Sequence, residues 1–199
     1  MTASDTYYSQ AIAHLRHLID QAYKMGEREP TAASLATADP EARPSVRIVT
    51  VARTEESGLI FFASSNSGKG QQMQANPRAA LCFFWPGMQE QAVIEGRVAM
   101  LDPESSDRYW AKRPREAQLS AWVSEQGALE TEGEAVKERL RSYKQEFDQQ
   151  RVPRPEAWRA YRLEPDRIGF WPSGWHRLRA RVDYRRDTSG RWQRHRQQA

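Results

Sequence analysis

Val46-Arg47-Ile48-Val49-Thr50-Val51-Ala52-Arg53 and, a little further on, Ser64-Ser65-Asn66-Ser67-Gly68-Lys69 are the stretches from which the rest of the chain is read. The first alternates apolar with polar and charged residues and is rich in β-branched side chains, the pattern of a strand with one covered face. The second is a loop of small residues that ends in lysine. An arginine on a strand and a lysine on such a loop can cradle a phosphate between them. Read alone, the same residues equally fit an edge-strand arginine and a solvated turn.

Working outward, Ser34 to Ala38 reads as a strand reached through the turn Asp39-Pro40-Glu41-Ala42-Arg43-Pro44, and Leu59 to Ala63 as another after Glu55-Glu56-Ser57-Gly58. Connections of hairpin length make the sheet antiparallel. Ahead of it, Tyr8, Ile12, Leu15, Ile19 and Ala22 recur at helical spacing behind the possible caps Ser4 and Asp5, which predicts a helix ending near Gly26. After Lys69, a short helix through Met73 and Ala75 stops at Asn76-Pro77. Arg78 to Trp85 and Gln91 to Leu101 then pair around Pro86-Gly87. Asp102-Pro103-Glu104 is a helix start, with Asp102 as cap and Pro103 where a missing N–H is harmless.

Helices continue to about Phe147, and Val136, Leu140, Tyr143 and Phe147 form the buried stripe of the last one. Val152-Pro153-Arg154-Pro155 ends this block. Strands return at Trp158 to Leu163, Ile168 to Trp171, Leu178 to Arg185 and Arg191 to His195, the last two around Ser189-Gly190. Strands, an inserted helical block and strands again predict a mainly antiparallel β fold with flanking helices, closed into a barrel because closure removes exposed edges. The regular β-α-β alternation of a parallel sheet is absent. A single domain over residues 1–199 is expected, with 1–26 the N-terminal helix, 102–149 the inserted helical block and 158–199 the C-terminal strands.

No apolar run approaches the roughly 20 residues needed to span a bilayer, and Met1 to Arg16 lacks a secretory pattern, so the expected location is cytoplasmic, with no membrane partner. Cys82, the one cysteine, lies in the apolar run Ala79 to Trp85 and reads as an inert buried thiol. Net charge is +4, and eight arginines face only Asp183 and Asp187 between His176 and Ala199. Those arginines alternate with Leu178, Val182, Tyr184 and Trp192 as strands with one wet face do, so no nucleic acid is expected as partner. No metal is expected.

An ordered set of segments resembles the pyridoxine/pyridoxamine 5′-phosphate oxidase family. They are Arg47-Ile48-Val49, Ser67-Gly68-Lys69, Asn76-Pro77-Arg78, Gln91, Arg113-Pro114-Arg115 with Gln118 and Ala121-Trp122-Val123-Ser124, Phe170-Trp171, and Arg177-Leu178 with Arg181. The resemblance runs from Glu29 to Trp192. It implies an FMN-binding split β-barrel, a Greek-key barrel, and a homodimer with FMN at the interface. It also implies that Arg47 and Lys69 contact the FMN phosphate, a dianion that a guanidinium fork and an ammonium neutralise together. Ile48, Val49, Phe62 and Ala63 join the cofactor set. Gln91 and Gln126 resemble amides that hydrogen-bond the flavin ring or its chain. Trp171 and Arg181 match positions that complete the pocket from the other subunit, although Trp171 also reads as core.

On the substrate side, the resemblance gives Tyr109 and Arg113 to a substrate phosphate and places Arg177 over the substrate ring as the catalytic candidate. Departures cluster here. Ala52 stands where the family usually has a phosphate-binding lysine, Ala117 where it has serine, Arg179 for a histidine, Ala180 for an acid, Gly68 for an arginine and Gly127 for a serine. The basic, tyrosine-containing arm that often covers the site is not found ahead of the first helix. A charged phosphate contact is worth about 1.5 to 3 kcal/mol, so phosphate affinity falls unless Arg179 or Arg53 compensates. Strand alternation points Arg53 away from the face of Ala52, whereas Arg179 shares a face with Arg177.

Three functions match these residues. The first is an FMN-dependent oxidase acting on pyridoxamine or pyridoxine 5′-phosphate with O2. The second is a related oxidase of an unphosphorylated, carboxylated aromatic, of the phenazine-biosynthesis type. The third is a non-catalytic flavin or pyridoxal phosphate binder. His14 and His176 are spare candidates for proton transfer.

Overall fold

The computed structural model describes residues 3–124, 133–172 and 181–197. The chain opens with helix α1 (Ala3–Lys24), which already includes the suggested caps Ser4 and Asp5. Ala11, Ile12, Leu15, Leu18, Ile19 and Ala22 are its buried stripe. The helix stops at Gly26, whose φ of 76° lets its own N–H reach Tyr23 O at 3.1 Å and that of Glu27 reach Ala22 O at 3.0 Å.

Strands β1 (Ala32–Ala38), β2 (Pro44–Glu55) and β3 (Gly58–Ser64) follow, then helix α2 (Gly68–Ala75) and strands β4 (Arg78–Trp85) and β5 (Glu90–Met100). The helical block holds α3 (Pro103–Trp110), α4 (Arg115–Val123) and α5 (Gly133–Glu146). Strands β6 (Trp158–Pro172), β7 (Arg181–Arg186) and β8 (Trp192–Gln197) complete the described chain. Neighbouring strands run in the order β3-β2-β1-β4-β5-β6-β7-β8, and a further β3–β6 pairing closes the first six into a ring. The fold is thus a mainly antiparallel six-stranded barrel with flanking helices.

Two compact units make up the chain. One comprises Met1–Phe61, Gln72–Ala99 and Arg162–Ala199; the other comprises Phe62–Gln71 and Met100–Tyr161. In the first, Leu35, Phe61, Leu81, Phe83, Ile94 and Leu163 are fully buried, each at an inward position of its strand. In the second, Trp110, Leu119, Phe147, Val152 and Trp158 form the core, with Phe62, Tyr109, Trp122, Leu140 and Tyr143 packed against it. Among the described residues, no helix is long and apolar enough to cross a membrane.

Three local expectations are corrected. The strands predicted at 158–163 and 168–171 are one strand, β6, because the chain stays extended through Pro165. Gly96 makes room there: an added Cβ would lie 2.0 Å from Glu164 O. Val136 is 42 % exposed and drops out of the α5 stripe, which is carried by Leu140, Tyr143 and Phe147. Finally, β2 carries a bulge between Val51 and Arg53, so strict alternation fails and both Ala52 and Arg53 are exposed. Leu178, placed in a strand by its sequence, lies outside the described residues.

Candidate functional site

Arg47 sits on the inward face of β2, in register with Leu35 of β1. Its Nη1 donates to Thr37 Oγ1 at 2.5 Å, Ser45 O at 3.3 Å and Leu35 O at 3.4 Å, and its Nη2 donates to Gln72 Oε1 at 3.3 Å. The hydroxyl of Thr37, only 3 % exposed, donates to the same Gln72 oxygen at 2.5 Å, and Gln72 Nε2 donates to Ser45 Oγ at 3.1 Å. Among the described residues, the guanidinium is therefore fixed by neutral groups alone. Burial lowers its pKa from the ordinary arginine value, yet arginine keeps its charge in proteins. A half-buried cation oriented by neutral dipoles is a site that an anion would complete. Val49 follows on the same face, 8 % exposed, whereas Ile48 points the other way and is 64 % exposed.

Lys69 lies in the first turn of α2. Ser67, immediately ahead of the helix and buried, accepts from the Gly70 N–H at 3.3 Å and donates to Ser64 O at 2.7 Å, an N-cap built from the small-residue loop. Lys69 Nζ reaches Ser67 Oγ at 3.5 Å. A Cβ on Gly70 would stand 2.3 Å from Ser64 O, so the tight turn requires glycine there. The exposed face of this turn, with backbone N–H groups and an ammonium, suits a phosphate.

In the second unit, Phe62 stacks on Trp158 with centroids 4.5 Å apart and lies 5.6 Å from Tyr109. The Arg113 guanidinium carbon stands 5.4 Å from the Trp158 ring centroid and 5.9 Å from that of Phe62, and its Nη2 donates to Ala117 O at 3.3 Å. Its buried Nε has no hydrogen-bond partner among the described residues, and burial lowers the pKa of the group. Phe62, Tyr109 and Arg113, read separately from the sequence, thus share one aromatic cluster. Other residues of the same motif hold the helical block together. Arg115 donates to Gln150 O at 2.7 Å and to Phe147 O, Gln118 Nε2 donates to Trp110 O at 2.8 Å, and Trp122 Nε1 donates to Pro153 O at 2.7 Å.

Trp171 and Arg181 meet in the first unit. The guanidinium carbon of Arg181 lies 4.0 Å from the indole centroid, and that of Arg167 lies 5.7 Å from it. Asp183, fully buried, contacts both arginines, with Arg167 Nη2 at 3.1 Å and Arg181 Nε at 3.0 Å. Ala63 is buried in β3, and Gln91 is half-buried in β5 opposite Phe84. Gln126, His176, Arg177 and Arg179 lie outside the described residues. Sequence reasoning missed Thr37, Gln72 and Asp183. A signal existed for Thr37, a polar residue alternating inward with Ala33 and Leu35.

The description "Pyridoxamine 5′-phosphate oxidase" belongs to the family pattern that matches residues 19–171. A pyridoxine/pyridoxamine 5′-phosphate oxidase of Anaeromyxobacter dehalogenans is 40 % identical over 179 residues, covering 90 % of each chain. One from Xylella fastidiosa is 39 % identical over 188 residues, 93 % of this chain and 90 % of the other. Among solved structures, PhzG from Burkholderia lata 383, in complex with tetrahydrophenazine-1-carboxylic acid, superposes with a TM-score of 0.88 at 28 % identity, covering 94 % and 92 % of the two chains. A pyridoxamine 5′-phosphate oxidase-related, FMN binding protein of Nostoc punctiforme shares the fold, with a TM-score of 0.70 at 18 % identity and 94 % of each chain covered. With its barrel, its matched motifs and relatives aligned over nine-tenths of its length, the chain belongs to the pyridoxamine 5′-phosphate oxidase family.

Proposed function

We propose that the protein is an FMN-dependent oxidase that converts pyridoxamine and pyridoxine 5′-phosphate to pyridoxal 5′-phosphate with O2. The observation that carries the cofactor half is Arg47, a half-buried guanidinium whose hydrogen-bond partners among the described residues are all neutral. The residues fit FMN: Arg47 and the capped turn of Lys69 are each suited to a phosphate. Trp171 with Arg181 offers a planar cationic stack to an aromatic system. Gln91 and Gln126 supply amide donors and acceptors. Bound there, FMN would supply hydride acceptance from the carbon bearing the amine or alcohol and reoxidation by O2.

For the substrate, we assign Tyr109 and Arg113 to the phosphate and, as the resemblance implies, Arg177 to the substrate ring, with Arg179 as an added positive charge. The Phe62–Trp158 stack beside Arg113 leaves the guanidinium half-buried, which strengthens its attraction for an anion. With no histidine base among the matched positions, orientation by these arginines carries the rate. Proteins named for this activity align at 40 % identity over nine-tenths of the chain, which supports the reading.

A second reading is a related oxidase of an unphosphorylated, carboxylated aromatic. It is favoured by Ala52 and Ala117, which offer no side-chain donor where the family has lysine and serine, and by the likeness to PhzG. Anaerobic titration of the FMN-loaded protein with pyridoxamine 5′-phosphate separates the two. Bleaching of the visible flavin band at a rate on the order of 1 per second, or within a few decades below it, is expected. A flavin that stays yellow refutes the vitamin-phosphate substrate and turns the search to carboxylated aromatics. Turnover of either substrate excludes a non-catalytic binder.

A further inference from the structure

Asp183 is a fully buried carboxylate that the proposed reaction does not use. It lies on β7 opposite Gly169 of β6, on the same strand face as Arg181 and Arg185. Arg167 grips its Oδ1 with both Nε and Nη2 at 3.1 Å, and Arg167 Nη1 also reaches Glu95 at 2.6 Å. Arg181 Nε comes within 3.0 Å of Oδ2, and Arg185 Nη2 within 3.7 Å. The missing side chain at Gly169 permits the cluster. A Cβ there would lie 2.5 Å from the Trp171 ring and 2.7 Å from Asp183 Oδ1, so indole and carboxylate share the space over one glycine.

The indole consequently has two guanidinium groups within 6 Å of its centroid, Arg181 at 4.0 Å and Arg167 at 5.7 Å, and one carboxylate touches both of them. The two contacts differ in kind. Arg167 makes directed hydrogen bonds, whereas Arg181 Nε and Asp183 Oδ2, though 3.0 Å apart, are both buried without a hydrogen bond among the described residues. Charge and stacking therefore hold Arg181, and its closest approach to the carboxylate is through Nε rather than a terminal nitrogen. A buried carboxylate is tolerated only with such cations beside it.

We propose that Asp183 is the positioning residue of the flavin site, holding Arg181 against Trp171 so that the terminal nitrogens of that guanidinium are presented to the bound cofactor. This inference rests on the FMN reading given above. Asp183 acts through Arg181 and has no contact with the flavin itself.

The test is a double-mutant cycle on FMN affinity, read by quenching of flavin fluorescence on titration into the apoprotein. Asp183→Asn should raise the dissociation constant about tenfold or more, and should change it less than about twofold when Arg181 is already alanine, because coupled residues are not additive. Equal losses in both backgrounds would show a merely structural carboxylate and overturn the proposal; so would unchanged affinity in the single variant. Should Asp183→Asn fail to fold, Arg181→Lys carries the test, since lysine keeps the charge but can neither lie flat on the indole nor offer Nε. A comparable loss is expected, and undiminished affinity overturns the positioning role. A wild-type chain that leaves flavin fluorescence unchanged refutes the FMN reading itself, and the inference with it, before any variant is compared.

Discussion

Lys69 adds an ammonium to a turn already capped by Ser67, so its removal leaves the fold in place and deletes one charged contact worth about 1.5 to 3 kcal/mol. Lys69→Ala is expected to weaken FMN binding tenfold or more in equilibrium dialysis, and full flavin occupancy would dismiss the phosphate assignment. On the substrate side, Ala52→Lys with Ala117→Ser should raise kcat/KM for pyridoxamine 5′-phosphate; no gain would mean that the pocket recognises its substrate by other groups. The bulge at Ala52 matters here, because it exposes Arg53 alongside Ala52 and gives that arginine a reach that alternation denied it. Arg47 and Lys69 were legible in the sequence because a charge on a covered strand face and a lysine after five small residues are conspicuous. Thr37 and Gln72 were not, since the value of each lies in a neighbour far along the chain, Arg47 being ten residues from Thr37 and 25 from Gln72; Asp183 was not, since its burial depends on Arg167, 16 residues away on the neighbouring strand.

Element starts and stops were legible wherever their chemistry is local. Asp102 caps α3, its Oδ1 accepting from the Ser105 N–H at 2.6 Å and its Oδ2 from the Ser105 hydroxyl at 2.7 Å, with Pro103 in the first turn. Those two Ser105 bonds hold the Asp102 carboxyl below its ordinary value of 3.8. The sign follows: the folded state binds the proton less well, so the cap's contribution is complete above the ordinary carboxylate pKa and is lost as pH falls through the lower folded value. Asp102→Ala should therefore lower the melting temperature by a few degrees at neutral pH, and the gap to wild type should shrink once the pH falls below the ordinary carboxylate value of 3.8. A gap that persists undiminished in acid would contradict the capping role. By contrast, the unbroken course of β6 through Pro165 depends on Gly96 of β5, a long-range accommodation that no local pattern announces. Val136 likewise fits helical spacing while its surroundings leave it exposed.

At the scale of the whole molecule, the antiparallel class was legible from hairpin-length turns, whereas the β3–β6 pairing that closes the ring joins strands far apart in sequence and has no local signature. Closure turns alternate residues of β1, β2 and β4 outward, and these do not all look like a wetted surface. Val46 is 66 % exposed, Ile48 64 % and Phe84 54 %. Val46 stands opposite Ala36 and Ile48 opposite Ser34, which in turn faces Cys82 on β4, so small side chains leave a shallow apolar face between the larger ones. Apolar side chains grouped on adjoining strands are a usual sign of a protein contact, and we assign this face to the second copy of the chain that the family resemblance implies. Light scattering should give twice the 23.0 kDa chain mass. Val46→Glu places a charge on that face without touching the inward-facing Arg47, and should shift the mass toward that of one chain while lowering FMN affinity if, as the resemblance implies, the cofactor sits between two subunits. A wild-type monomer that binds FMN at full strength would break the link between assembly and cofactor. A Val46→Glu dimer with unchanged affinity would move the contact to another face of the barrel.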